Sequence, residues 1–146
     1  MLGVLKNFLR ATLFVAVTSS AYGVSDRELV AAVLVLEAAQ DGAPGFQAVA
    51  SVARNRASRA GKPLTHVLTQ PKQFSALNGL GKAAAVARAR RDRTWPLALT
   101  FADLALAGRL QDTTRGATHY HVRTIRPYWS KKMTRTTSIG GHIFYR

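Results

Sequence analysis

An apolar run closed by a carboxylate, "LVAAVLVLE" (Leu29–Glu37), constrains this chain more than any other feature. Just before it stands Ser25-Asp26-Arg27-Glu28, the pattern of a capping box, with a serine at the N-cap and a glutamate three places on. The two together predict a helix from about Asp26 to about Gln40. Val30, Val33, Leu34 and Glu37 then share one face by three- and four-residue spacing. An unpaired carboxylate on such a face is costly, so its position points to a partner or a catalytic task. Only 7 acidic residues stand against 21 basic ones, which makes the placement of each acid informative.

After Asp41-Gly42-Ala43-Pro44-Gly45, a break, a second helix is predicted from about Pro44 to Arg59, with Asp41 near its cap and Pro44 in its first turn. Its late residues Arg54-Asn55-Arg56 would come near the end of the first helix if the two form a hairpin, and pairing of Glu37 with either arginine is the structural alternative to catalysis. A short helix capped by Thr65, a loop over Gln70–Gly81, an exposed basic helix over Lys82–Arg93 and an apolar helix over Leu97–Leu110 follow. The last carries Leu99, Ala102, Leu106 and Leu110 in register. From Asp112 the pattern changes to Gly, Thr and aromatics, and short antiparallel strands are predicted near Ala117–Val122, Met133–Thr136 and His142–Tyr145. The class is α+β, helices first and a small sheet last.

At 146 residues and 47% hydrophobic content, the chain is one domain with a real core. It has no cysteine, which excludes disulfides, a thiolate zinc site and a thiolate nucleophile. A net charge of +14 implies a polyanionic neighbour: nucleic acid, an anionic membrane or a bacterial envelope. The opening "MLGVLKNFLRATLFVAVTSSAYG" has Lys6 and Arg10, a short apolar stretch and Ser19-Ser20-Ala21, which fits a secretory signal over residues 1–21, with a retained amphipathic helix as the alternative. The domain proper is then 25–146.

Five segments in order carry a resemblance: "LEAAQDGAPGFQAVASVARNR" (Leu36–Arg56), "VLTQPKQFS" (Val67–Ser75), "LALAGRLQDTTRGATHYH" (Leu104–His121), "PYW" (Pro127–Trp129) and "IGGHIFYR" (Ile139–Arg146). Together they resemble the catalytic domain of the SleB-like, spore-cortex-lytic cell-wall hydrolases. The resemblance implies a lysozyme-like α+β fold that cleaves peptidoglycan glycan strands with one essential glutamate, which falls on Glu37. Where that family typically reads Glu-Ala-Arg-Gly-Glu-Pro, this chain has Glu37-Ala38-Ala39-Gln40-Asp41-Gly42.

Glycosidic cleavage requires protonation of the leaving oxygen, and an apolar helix face is the simplest source of the desolvation that keeps a carboxylic acid protonated. Most glycosidases add a second carboxylate. Asp41, Asp92, Asp103 and Asp112 are available, none in a recognisable motif for that role, and Asp41 reads as a helix cap. The N-acetyl group of the substrate offers a way round. The favoured reading is therefore a lytic transglycosylase, with Glu37 as acid and then base, and a muramidase-type hydrolase as the alternative. Gln73, Phe74, Ser75, Tyr120, Trp129 and His142 are the candidate substrate-binding residues. His119, His121 and His142 lack the spacing of a zinc site, and the resemblance implies no metal or other cofactor. Partners are expected to be glycan strands and the anionic envelope, acted on by a secreted, periplasmic or virion-associated monomer. A basic nucleic-acid- or envelope-binding protein without catalysis is the alternative of another class; Lys82–Arg93 is the best support for nucleic acid, although no base-stacking aromatics lie within that segment.

Overall fold

The computed structural model describes residues 23–146; the leader expected over residues 1–21 lies outside the described residues. Helix α1 spans Asp26–Ala38 behind the predicted capping box: Ser25 Oγ accepts from Glu28 N–H, and the Glu28 side chain accepts from Ser25 N–H. Leu29 to Val35 are all buried, because α1 is the central element. A helix apolar around its whole circumference is stable only when enclosed. Helices α2 (Gly42–Ala60), α4 (Lys82–Ala89) and α5 (Trp95–Leu106) enclose it, and the short α3 (Leu64–Thr69) closes one end.

Where α1 and α5 pack together, both helices bury alanines. Ala31 and Ala32 on α1 and Ala98, Ala102 and Ala105 on α5 are fully buried, so the two backbones approach closely. The inward face of α5 is largely the predicted one, with Ala102 buried and Leu99 and Leu110 packed against the core, but Leu106 stays 40% exposed. The helix also begins two residues early, at Trp95, because Pro96 is tolerated in a first turn, where its missing N–H costs nothing.

The basic helix ends at Ala89, not Arg93. Its Ala85, Val86 and Ala89 face is buried against the core, so the cations cover only its outer side. Beyond it Asp92 accepts from the N–H and hydroxyl of Thr94, turning the chain into α5.

Strands β1 (His119–Val122), β2 (Arg135–Ile139) and β3 (His142–Tyr145) form an antiparallel sheet in the order β1-β3-β2. The predicted first strand is two residues too long. The second is displaced, because Tyr128–Lys132 forms a 3-10 turn and the tight Gly140-Gly141 connection lets β2 run to Ile139. Tyr120 pairs with Phe144 and Val122 with His142. The sheet packs on α2 through a second small core of Ala48, Val52, Ala117 and Phe144. The architecture is helices first and a small sheet last, as the class reading has it. Between the two cores the end of α1 faces the sheet.

Candidate active site

Glu37 sits in the last turn of α1, half-buried, one residue before the helix ends. Val30, Val33 and Leu34, on its face, are in the core, but its carboxylate is not immersed in hydrocarbon. Oε1 accepts from Ser75 Oγ at 2.8 Å and from the backbone N–H of Ala76 at 2.7 Å. Oε2 accepts from the Tyr120 hydroxyl at 2.5 Å. Ala76 lies in the 3-10 turn Ser75–Leu77, whose first N–H groups have no partner within the turn and are free to meet an anion.

Arg56 builds this arrangement without pairing to the acid. Its Nη1 donates to the Gln73 carbonyl at 2.7 Å and its Nε to the Thr118 carbonyl at 2.5 Å, joining the loop to the approach of β1. The guanidinium lies 4.9 Å over the ring of Phe74. Burial draws Arg56 below its ordinary pKa, and the nearby Tyr120 and Glu37 partly offset this; an arginine stays charged all the same. Among the described residues no ion pair joins Glu37 to Arg54 or Arg56. Arg54 instead donates to the Ala105 carbonyl.

Tyr120 is fixed by its neighbours: its ring lies 5.7 Å from Phe144 and 5.3 Å, edge-on, from His142. Burial, the negative Glu37 and the hydrogen bond to it push the phenol well above its ordinary value, with Arg56 opposing. The hydroxyl therefore stays protonated at any physiological pH. Ala76 N–H can only donate, so Oε1 must always accept. A proton on Glu37 belongs on Oε2, where the Tyr120 hydroxyl can turn from donor to acceptor.

Behind this group Asp41 departs from its expected role. It stands at the N-cap position of α2 but makes no cap hydrogen bond. Its oxygens accept from Gly141 N–H at 2.9 Å and meet His142 Nδ1 at 2.8 Å, and both side chains of that pair are nearly fully buried. Gly45 and Gly140 make room for it, since a Cβ on either would fall 2.3–2.4 Å from Asp41 atoms.

Leu36, Glu37, Arg56, Gln73, Ser75, Tyr120 and His142 line a cleft of about 430 Å³, continued by His121, Ile125 and Pro127. Glu37 is the one carboxylate among them. Asp112 is held below its ordinary pKa: burial raises it, but hydrogen bonds from Thr114, Asn55 and Gly116 outweigh this in shaping the turn before β1. Asp103 pairs with Arg27. A larger hollow of about 580 Å³, between the ends of α2 and α5, shares no residue with the cleft, and its only carboxylate, Asp26, is exposed. The smaller cleft holds the convergent donors and the acid.

Of the other sequence candidates, Gln73, Ser75, Tyr120 and His142 lie in the cleft wall. Phe74 does not: it is 2% exposed and serves as the apolar floor beneath Arg56. Trp129 does not either. It packs on the opposite face of the sheet, its ring within 5.3–5.7 Å of His119, His121 and Tyr145, as strand alternation requires of neighbours of Tyr120. The three histidines do not converge, since His142 faces Asp41, His121 faces Tyr145 and His119 faces Thr118. Two features escaped the sequence reading: the bridging role of Arg56 and the buried Asp41–His142 pair. The signal for the first was a charged residue on the inward side of α2.

The family model described as Cell Wall Hydrolase matches residues 40–145. The chain belongs to the cell wall hydrolase family. The match begins just after Glu37, so the family assignment and the identity of the acid rest on separate observations. Among solved structures, this cell wall hydrolase is similar to the catalytic domain of the germination-specific lytic transglycosylase SleB from Bacillus anthracis. Identity is 26%, the TM-score is 0.63, and the match covers 87% of this chain and 98% of that one. It is likewise similar to the catalytic domain of the Bacillus cereus SleB protein, at 26% identity and TM-score 0.62, over 85% of this chain and 93% of that one. No curated protein matches the sequence.

Proposed function

We propose that this cell wall hydrolase is a lytic transglycosylase that cleaves peptidoglycan between N-acetylmuramic acid and N-acetylglucosamine, with Glu37 as acid and then base. The observation that carries the reading is a cleft with a single carboxylate, held by three donors, where a two-carboxylate hydrolase needs a second acid within about 5–9.5 Å of the first. Likeness to the SleB catalytic domains supports the same chemistry.

Glu37 Oε2 gives its proton to the glycosidic oxygen as the bond from C1 of the muramyl residue breaks. The substrate's N-acetyl carbonyl stabilises the cationic centre at C1. The carboxylate then takes the proton of the C6 hydroxyl as O6 bonds to C1, leaving a 1,6-anhydro end and a free 4-hydroxyl. No water is consumed, and Glu37 ends protonated as it began. The Tyr120 hydroxyl follows Oε2 through both states. Ser75 and Ala76 keep the carboxylate from rotating. Leu36, Ile125 and Pro127 give the cleft its apolar walls.

Purified protein incubated with peptidoglycan is expected to release muropeptides with anhydro ends, read by mass spectrometry. Reducing ends would mean a hydrolase, and intact strands would overturn the enzymatic reading. Tyr120→Phe keeps the ring and removes one hydrogen bond to the carboxylate. It should lower kcat roughly ten- to a hundredfold, the worth of a charge-assisted hydrogen bond, while the melting temperature changes little. An unchanged kcat would exclude the hydroxyl from the reaction. We also assign residues 1–21 to a secretory leader that delivers the enzyme to the envelope, which sequencing of the mature N-terminus checks.

A further inference from the structure

The cleft does not end at His121. That residue also walls a neighbouring hollow of about 260 Å³, whose rim carries Arg123, Arg126, Lys131 and Arg135 and no carboxylate. His121, on the strand face opposite Tyr120, borders both hollow and cleft, and Tyr145, joined to it by a 2.9 Å hydrogen bond, lines the hollow. Four cations around one concavity repel one another, and concave surfaces focus the field they make. No acidic residue follows Asp112 in the sequence, and the ion pairs among the described residues all lie elsewhere. Arg123 Nε donates to the Gly140 carbonyl and Arg135 Nη2 to Ser138 Oγ, which fixes two guanidiniums with further N–H groups to spare. Arg126 and Lys131 make no side-chain hydrogen bond or ion pair among the described residues.

The sugars do not account for this charge, because a strand of N-acetylated hexosamines is neutral along its backbone. The anionic part of peptidoglycan is the peptide stem, attached through the lactyl ether at O3 of the muramyl residue and bearing free carboxylates. We propose that this hollow is a subsite for the stem-peptide carboxylates of the muramyl residue bound in the cleft. The proposal rests on the peptidoglycan reading above and adds a preference for stem-bearing strands. Guanidinium groups suit it because they bind a carboxylate through two parallel hydrogen bonds.

The test uses the purified full-length protein on glycan strands in three forms: with stems, with stem carboxylates amidated, and with stems removed by an amidase and the lactyl carboxylates thus freed amidated in turn. Stem-bearing strands should show a KM roughly tenfold below that of the other two, with similar kcat. The double variant Arg126→Ala/Lys131→Ala should raise KM about tenfold on stem-bearing strands only. Arg126→Lys/Lys131→Arg, which keeps the charges, should restore it. Lys82→Ala/Arg93→Ala, removing two exposed charges that line neither the cleft nor the hollow, should leave the preference intact. Equal KM on all three forms of strand would overturn the subsite while leaving the glycosidase reading standing. So would a preference that survives amidation, or one lost equally in the Lys82/Arg93 variant. Failure to cleave any strand would remove the glycosidase reading and the subsite with it.

Discussion

Glu37→Gln is expected to cut peptidoglycan lysis by about a thousandfold or more, within the range that general acid–base groups contribute, while leaving the fold intact. The geometry makes the substitution close to silent structurally. Ala76 N–H and Ser75 Oγ donate to Oε1, so the amide oxygen must take that place. The amide NH2 then faces the Tyr120 hydroxyl, which can accept as well as donate. Every hydrogen bond survives, yet the amide neither gives a proton to a leaving oxygen nor takes one from a C6 hydroxyl. Release of soluble muropeptides, measured beside the melting temperature, checks both halves of the expectation. A Gln variant keeping more than about a tenth of wild-type activity would be far above the loss expected of a general acid and would exclude Glu37 from both roles. Glu37→Asp is a useful companion: it keeps the charge but withdraws the carboxylate by one methylene from Ser75 and Tyr120, so it should be nearly as inactive.

Gly140→Ala is expected to destabilise the protein by about 3 kcal/mol or more, from two causes that add. The residue has φ +54, a left-handed conformation that disfavours a side chain. Its Cβ would also stand 2.3 Å from Asp41 Cγ and 2.4 Å from Oδ1. Asp41 cannot swing aside without giving up Gly141 N–H and His142 Nδ1, so relief of the clash leaves a nearly buried charge short of partners. Gly79→Ala separates the two causes. It shares the positive φ, at +76, but nothing lies within 4 Å of the new Cβ, and it should cost only about 1 kcal/mol. Thermal or denaturant unfolding of the two variants reads the difference. Equal losses would mean that the Asp41–His142 contact is not rigid.

The geometry around Glu37 also shows what stands at two positions that follow it in the structure supporting the cleft wall. Ala39 carries no charge, and the guanidinium near the acid comes from α2, at Arg56. Asp41 reaches the β2–β3 turn through the room that Gly45 and Gly140 leave for it.

Much of the helical half was legible because its signals are local. The capping box sets the start of α1, the three- and four-residue spacing puts Glu37 on the face of Val33 and Leu34, and Gly42 marks the break before α2. Where local signals are weak the reading slipped. Alanine rows give little hydrophobic contrast, so the leucine spacing places Leu106 inward, whereas the buried face of α5 runs through Ala98 and Ala105. Strand β2 was displaced because a 3-10 turn and a two-glycine connection, not alternation, decide its ends.

The sequence by itself determined that an acid would stand at the end of a buried helix, because helical periodicity and a cap are properties of a few neighbouring residues. It did not determine what that acid would touch. Ser75 and Tyr120 lie 38 and 83 residues away along the chain, and Asp41 meets His142 across 101. Such contacts exist only once α2, the loop over Phe74 and the sheet have packed together, because a hydrogen bond needs a position in space that no local spacing encodes. Tertiary structure alone decided that the acid sits among three polar donors rather than in hydrocarbon, and that Asp41 braces the sheet instead of capping a helix.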